Sequence, residues 1–289
     1  MTPLQKRLLA LTRSLGVPLT TLEKDVALGA LLAAIAADSR LSGTLVFKGG
    51  TALKRLYFGD TYRFSEDLDF SALAAPRGAD LAAALDAARI RAVTALSAEG
   101  PFDARLEPLR EREAHPGGQD AFVVRFRFPW QRDALCPIKV EVTHDEPVLL
   151  PPATRRILPG SGLAPAGSLL AYPLEEVVAE KLRALLQTDA RLAVRGWSRP
   201  RARDYFDLWK ILTTFAAEVD PATVRRLLPA KCALREVAYT DTASFFTERL
   251  IREAEKHWVE ALADLVPDLP PIEQVLAELP PLVSRLVGE

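Results

Sequence analysis

The sequence predicts an α+β protein, because strand patterns are concentrated in its first half and helical patterns fill its second half. Segments 121–128 and 137–143 alternate apolar with polar side chains over much of their length, as half-exposed strands do. Beyond residue 173, apolar residues recur with a period of about 3.6, which indicates helices. Together these patterns favour a strand-containing lobe followed by a helical one.

The individual elements follow from local patterns of apolar, Gly and Pro residues. In the first half we expect helical structure at 2–38, strands at 44–48 and 68–71, a helix from 51 to 57, a turn at Pro76 and Gly78, and a helix at 80–99. In the strand 137–143, Ile138, Val140 and Val142 are expected on one face, and Lys139 and Glu141 on the other. In the second half we expect helices at 173–188, 203–218, 221–228, 244–265 and 272–287.

Residues 151–167 are rich in Pro and Gly and have no periodicity, so we place a boundary between lobes there. The prediction is a first lobe at 1–165 and a helical lobe at 166–289 that completes the active site.

Composition narrows the class of protein further. The chain has 289 residues, is 49% hydrophobic and 26% charged, and has a net charge of −1, which is typical of a soluble globular protein. We expect it to be cytoplasmic, because its apolar runs are too short for a signal peptide or a membrane span. Cys136 and Cys232 are expected to be buried free thiols, and no histidine has a second ligand at zinc spacing.

Two short motifs, one after the other in the sequence, contain the residues that we expect to take part in a reaction. Gly49-Gly50 separates a strand from a helix, and glycines at such a helix start let backbone N–H groups approach phosphates closely. Asp67 and Asp69 lie two apart on a strand, so both carboxylates point to one face and can bind Mg²⁺. Each motif alone has a simpler explanation, a tight turn or a solvated strand end, but the combination favours metal-dependent nucleotidyl transfer.

Three neighbouring side chains have more than one interpretation. Glu141 lies on the polar face of its strand and would add a third carboxylate to the metal site if its strand paired with that of Asp69 in the antiparallel sense. Thr51 either caps the helix or donates to a phosphate. Ser65 either binds a phosphate or a metal-bound water, or only fixes its loop.

The helical lobe carries a second group of charged residues. Lys181 lies at the margin of an apolar helix stripe, where a solvated lysine is the simple explanation. Asp204 and Asp207 share a face of the next helix. A simple explanation for them is a structural ion pair with Lys181.

An arginine-rich segment precedes that helix and includes one tryptophan. Its members are Arg191, Arg195, Trp197, Arg199, Arg201 and Arg203. It is interpreted as an RNA-binding segment, with a solvated loop between helices as the alternative.

The motifs together resemble the AbiEii family of nucleotidyltransferase toxins. The matching segments are Lys48-Gly49-Gly50-Thr51-Ala52-Leu53, Arg63-Phe64-Ser65-Glu66-Asp67-Leu68-Asp69, residues 175–184 and residues 201–209. The resemblance implies a polymerase-β-type core, a mixed sheet with flanking helices, followed by a helical C-terminal lobe. It also implies an NTP substrate, Mg²⁺ (or Mn²⁺), transfer to the 3′ end of tRNA that blocks aminoacylation, and a separately encoded antitoxin.

By this resemblance, residue roles are assigned to matching positions. Ser65, Asp67, Asp69, Lys181 and Asp204 would be catalytic, and Asp67, Asp69 and Glu141 would bind the metal. Lys48, Gly49, Gly50, Thr51, Ser65 and Lys181 would bind the nucleotide. Transfer to a protein hydroxyl or a small molecule, or a non-catalytic role in nucleotide or RNA binding, remain as alternatives.

Overall fold

A computed structural model describes residues 1–109, 118–161 and 166–288. The chain divides into two compact units: unit 1 is Met1–Ala171 with Leu265–Pro267, and unit 2 is Tyr172–Asp264 with Asp268–Glu289. The boundary predicted after residue 165 adjoins residues 162–165, which lie outside the described residues, and it stays a prediction.

Unit 1 begins with helices. They are α1 (Pro3–Leu15), α2 (Leu19–Ala36), α3 (Ser39–Ser42), α4 (Gly49–Leu53) and α5 (Gly78–Leu96). The region 2–38, expected to be helical, forms two main helices: Gly16, at φ 69, ends α1, and Pro18 precedes the next helix. Residues Lys54–Phe58 continue α4 as a π-helix, so the helix expected at 51–57 is present and starts earlier.

The described part of unit 1 contains a seven-stranded mixed sheet. Its strands are β1 (Leu45–Lys48), β2 (Asp67–Ala72), β3 (Asp103–Pro108), β4 (Gln119–Arg127), β5 (Cys136–Thr143), β6 (Ala153–Arg156) and β7 (Ser168–Ala171), in the order β3-β4-β5-β2-β1-β7-β6. The pairs β1–β7 and β2–β5 are parallel and the others antiparallel. This confirms the expected α+β fold with a mixed sheet and flanking helices.

Three strands of the sheet were missed by sequence patterns, namely β3, β6 and β7. β6 lies within the Pro/Gly-rich stretch 151–167 that was expected to be irregular, and β7 begins just after it. These strands are four to six residues long, too short to establish a period.

The two faces of the sheet differ in polarity. On one face Phe70, Val124 and Val140 are fully buried, and α2 and α5 pack against the sheet. On the opposite face β2, β4 and β5 carry half-buried polar and charged residues such as Asp67 and Glu141. The alternation predicted for residues 137–143 is therefore confirmed.

Unit 2 is helical, as predicted. Its helices are α6 (Leu174–Arg195), α7 (Ala202–Thr214), α8 (Pro221–Ala233), α9 (Glu248–Leu262) and α10 (Ile272–Val287). Pro173 caps α6 rather than opening it, and the helix continues past the predicted end at residue 188. The predicted helix 244–265 begins later, because Thr242–Phe245 forms a separate 3-10 turn.

Among the described residues, none of the helices combines the length and apolar character needed to cross a membrane.

Candidate active site

Gly49 and Gly50 each lie against a charged side chain of unit 1. Gly49 has φ +77, and a β-carbon there would lie 2.5 Å from Oδ2 of Asp69. A β-carbon on Gly50 would lie 2.3 Å from Nη2 of Arg63. The glycines therefore do more than form a tight turn, because they admit a carboxylate and a guanidinium next to the backbone.

The hydroxyls of Thr51 and Ser65 are used differently. Thr51 is buried, and its Oγ1 donates to the carbonyl of Asp67 at 2.5 Å, which ties the start of α4 to β2. Ser65 is only 2% exposed, yet its Oγ has no hydrogen-bond partner within the described residues. Since buried hydroxyls are nearly always paired in native proteins, this one is available to a ligand.

Asp67 and Asp69 share one face of β2, as predicted. The backbone register places Glu141 of β5 directly beside Asp69, and Lys48 of β1 on its other side. The prediction that Glu141 would join the site from an antiparallel neighbour was wrong in its direction, because β5 runs parallel to β2. The parallel register nevertheless brings Glu141 to the same face and the same row.

The Glu141 carboxylate already has two partners on the sheet. Nε2 of Gln119 donates to its Oε1, and Nζ of Lys139 lies 2.7 Å from the same oxygen. No group of three His, Cys, Asp or Glu residues in the described parts of the chain has the arrangement of a metal site. The two aspartates of β2 are thus the best-defined carboxylate pair, with Glu141 adjacent.

In unit 2, Lys181 joins two carboxylates of the next helix. Its Nζ lies 2.8 Å from Oδ1 of Asp204 and 2.6 Å from Oδ2 of Asp207. The Asp207 side chain is fully buried, whereas that of Asp204 is 15% exposed. Lys181 is therefore not a solvated helix lysine. Asp207 can fix the position of Lys181, while the partly exposed Asp204 carboxylate remains accessible to a ligand.

Arg201 faces into this cluster. Its Nε donates to Oγ1 of Thr188 at 2.9 Å, and its Nη1 lies 3.2 Å from Oδ2 of Asp204. Burial alone would raise the pKa of Asp204, but the cations of Lys181 and Arg201 outweigh it and hold the pKa below its ordinary value. Asp204 is therefore an ionised carboxylate held by two cations.

Arg191, Arg195, Trp197 and Arg199 of the arginine-rich segment are exposed, whereas Arg203 is half-buried and its Nε donates to the carbonyl of Ala261. Arg191 and Arg195 lie at the end of α6, and Arg199 follows in the connection to α7. Trp197 between them is 69% exposed. The segment is thus partly helical, and it presents cations and one large aromatic surface to solvent.

Sequence patterns missed several supporting residues. Arg63, quoted only as part of a motif, is buried against Gly50 and donates to the carbonyl of Phe64. Lys231 is fully buried, 2.7 Å from the equally buried Glu176 at the start of α6. The burial of Lys231 gives no local signal, because its partner Glu176 is distant in sequence.

Comparisons with known proteins agree with this architecture. A family model described as the nucleotidyl transferase AbiEii toxin of a type IV toxin–antitoxin system matches residues 30–278. The structure is similar to that of MenT4, a nucleotidyltransferase toxin from Mycobacterium tuberculosis H37Rv, with a TM-score of 0.64 and 20% identity over 94% of this chain and 85% of that chain. At this identity the structural likeness shows the fold alone. A search of curated protein sequences finds no match.

The fold and the family match define a nucleotidyltransferase. The chain belongs to the AbiEii family of nucleotidyltransferase toxins, which act in type IV toxin–antitoxin systems. The resemblance drawn from the four sequence segments is therefore confirmed.

Proposed function

We propose that this toxin transfers a nucleotide from an NTP to the 3′-hydroxyl of tRNA and so blocks aminoacylation and translation. The proposal rests mainly on the row formed by Lys48, Asp69 and Glu141, with Asp67 on the same face and Gly49 against Asp69. Carboxylates close to a Gly-Gly turn suit a triphosphate bound with a hard divalent cation. The family further implies an antitoxin partner.

The donor set fits Mg²⁺ or Mn²⁺, since it consists of hard carboxylate oxygens on a rigid strand. Asp67 and Asp69 would hold the cation, and Glu141 would join them after leaving Lys139. When bound, the cation neutralises phosphate charge and favours departure of pyrophosphate.

The protein's own residues would bind and orient the reactants. The buried Ser65 hydroxyl would donate to a phosphate oxygen, and Lys48 and the backbone at Gly49-Gly50 would hold the triphosphate. Thr51, assigned to nucleotide binding by resemblance, would act through its bond to the Asp67 carbonyl. In the reaction the 3′-oxygen bonds to the α-phosphorus, the bond to the β-phosphate oxygen breaks, and pyrophosphate leaves.

In unit 2, we propose that Lys181 contacts the nucleotide and that Asp204 is the essential acid. Arg201 was assigned to RNA binding, but its bonds to Thr188 and Asp204 favour a role in positioning Asp204. Arg191, Arg195, Arg199 and Trp197 would contact RNA phosphates and stack a base.

The test incubates the purified protein with total tRNA, Mg²⁺ and each labelled NTP separately, beside Asp67→Asn and Lys181→Ala. Asp80→Asn, at an exposed position of α5, serves as the control. We expect label in tRNA from one NTP, lost in both site variants and with EDTA, and retained in the control. Periodate-oxidised tRNA, which has no 3′-hydroxyl, should accept no label.

Other outcomes would change the assignment. Label on protein, or on tRNA with an oxidised 3′ end, would overturn 3′ transfer to RNA. Label on an added small molecule alone would identify a different acceptor class.

A further inference from the structure

Four basic side chains, one exposed and three partly exposed, form a group on the polar face of the unit 1 sheet. This group, the cationic face, consists of Arg105, Arg125, Arg127 and Lys139. We propose that the cationic face binds backbone phosphates of the acceptor RNA, an inference that rests on the proposed function.

The strand register places these cations on the same face as Asp67. Lys139 is the direct neighbour of Asp67, and Val123 lies beside Lys139 on the next strand. Two residues after Val123 stands Arg125, directly opposite Arg105 on the edge strand β3. With about 4.8 Å between strands, the face extends roughly 15 Å from Asp67 to the edge of the sheet.

The cations are accessible to a ligand. The exposed fractions of their side chains are 65% for Arg105, 36% for Arg125, 36% for Arg127 and 37% for Lys139. The α2 and α5 helices pack against the sheet on its buried apolar side. In the described residues of β2 to β5, the polar face carries no aromatic side chain. Phosphates, and not stacked bases, are therefore the expected contacts.

The carboxylates of the face hold the cations without burying them. Glu107 lies 2.9 Å from Nε of Arg105 and 3.1 Å from Nε of Arg125, so one acid serves two arginines. Asp103 lies 3.8 Å from Arg127, and Glu141 is the partner of Lys139. The three arginine pairs are exposed, and exposed pairs contribute only about 0–1 kcal/mol each, so phosphate can compete for the guanidinium donors.

Arg105 lies directly opposite Arg125, and like charges directly across strands repel. Glu107 pairs with both arginines, but one carboxylate between two guanidinium groups leaves a net positive charge at this place. An anionic ligand that lies across both strands would relieve the repulsion, and an RNA backbone presents such charges at regular intervals.

The experiment compares the triple variant Arg105→Gln/Arg125→Gln/Arg127→Gln with the wild type. Arg77→Gln is the matched control, because Arg77 is an exposed arginine of the same unit, paired with Asp145. We expect the KM for RNA to rise at least tenfold, while the KM for NTP and kcat at saturating RNA stay unchanged. The slope of log affinity against log salt should fall by about 0.7 for each lost phosphate contact.

An unchanged RNA KM and salt slope in the triple variant would overturn the inference, even if the wild type labels RNA. If the wild type labels no RNA but binds it directly, with a salt slope that the triple variant lowers, the inference stands and the proposed function fails. If the triple variant does not fold, the single variants Arg105→Gln and Arg127→Gln must each lower the slope. Slopes equal to that of Arg77→Gln would then exclude the proposal.

Discussion

The backbone of Gly49 packs so closely against the carboxylate of Asp69 that there is no room for a side chain at position 49. A β-carbon at position 49 would lie 2.5 Å from Oδ2 and 3.3 Å from the carboxyl carbon of Asp69. The Gly-Gly turn and the Asp-x-Asp strand are therefore one structural unit. Their succession in the sequence reflects a direct contact.

Gly49→Ala is expected to remove most of the activity. The substitution places alanine at φ +77, which is strained for any side chain, and it forces Asp69 to move. A shift of about 1 Å in a reacting group can lower the rate by about 10²-fold, so kcat should fall by roughly that factor. Labelled-NTP transfer measures it, with circular dichroism to verify folding.

Gly43→Ala provides the control for that change. Gly43 precedes β1 at φ −94, and a β-carbon there meets no atom within 4 Å. Its kcat should equal the wild-type value. A Gly49→Ala protein with normal kcat would show that the position of Asp69 is unimportant to the reaction.

Lys181→Ala is expected to destabilise the protein as well as inactivate it. The change removes the Lys181 cation from beside the fully buried Asp207 carboxylate, and breaking a buried ion pair in this way costs about 3–5 kcal/mol. The double variant Lys181→Met/Asp207→Leu replaces the pair with apolar groups and should recover most of the unfolding free energy. It should remain inactive, because the proposed nucleotide contact is gone.

Chemical denaturation and labelled-NTP transfer on both variants separate these effects. A stable Lys181→Ala protein would contradict the structural part of the argument. An active double variant would exclude Lys181 from the reaction.

The sequence predicted the parts of the fold that have local signals. The helix at 272–287 and the strand at 137–143 have long regular patterns, and both are present. β3 and β6 were missed although each pairs with the next strand in the chain, since they have only six and four residues. Segments of this length are too short to show a clear local period.

The same distinction applies to the candidate site. Asp67 and Asp69 could be placed on one face from their spacing alone. Neither the packing of Gly50 on Arg63 nor the capture of Glu141 by Gln119 was predictable, because each depends on how separate elements meet. Arg201 was grouped with exposed arginines by proximity in sequence, whereas it occupies the N-cap position of α7 and its side chain turns toward Asp204.

The two thiols are expected to be unreactive in the folded protein. Both cysteines are free and buried, as predicted, and burial raises the pKa of Cys136 to about 12 and that of Cys232 to about 11. Only the thiolate form of a cysteine reacts with Ellman's reagent. At pH 8 we therefore expect neither thiol of the native protein to react during the time in which both thiols of the denatured protein react completely. Rapid release of one equivalent of thionitrobenzoate from the native protein would show that one of the two cysteines becomes exposed readily.

Asp38 should make the stability of unit 1 depend on acid pH. Hydrogen bonds from Arg40 lower its pKa from 3.8 to about 2 against the opposing effect of burial, and Arg91 adds a further bond. Because the folded pKa lies below the unfolded value, the stabilisation is complete above pH 3.8 and is lost as the pH falls through about 2.

Asp38→Asn isolates this charge, because an asparagine can still accept the cap hydrogen bond from the backbone of Arg40. Arg40 and Arg91 are both more than a third exposed, so solvent screens their interaction with Asp38. Asp38→Asn should therefore lower the free energy of unfolding by about 1 kcal/mol at neutral pH. Urea unfolding at a series of pH values should show the difference from wild type vanishing between pH 3.8 and about 2. A difference of the same size at every pH would mean that packing, and not ionisation, accounts for the effect of the substitution.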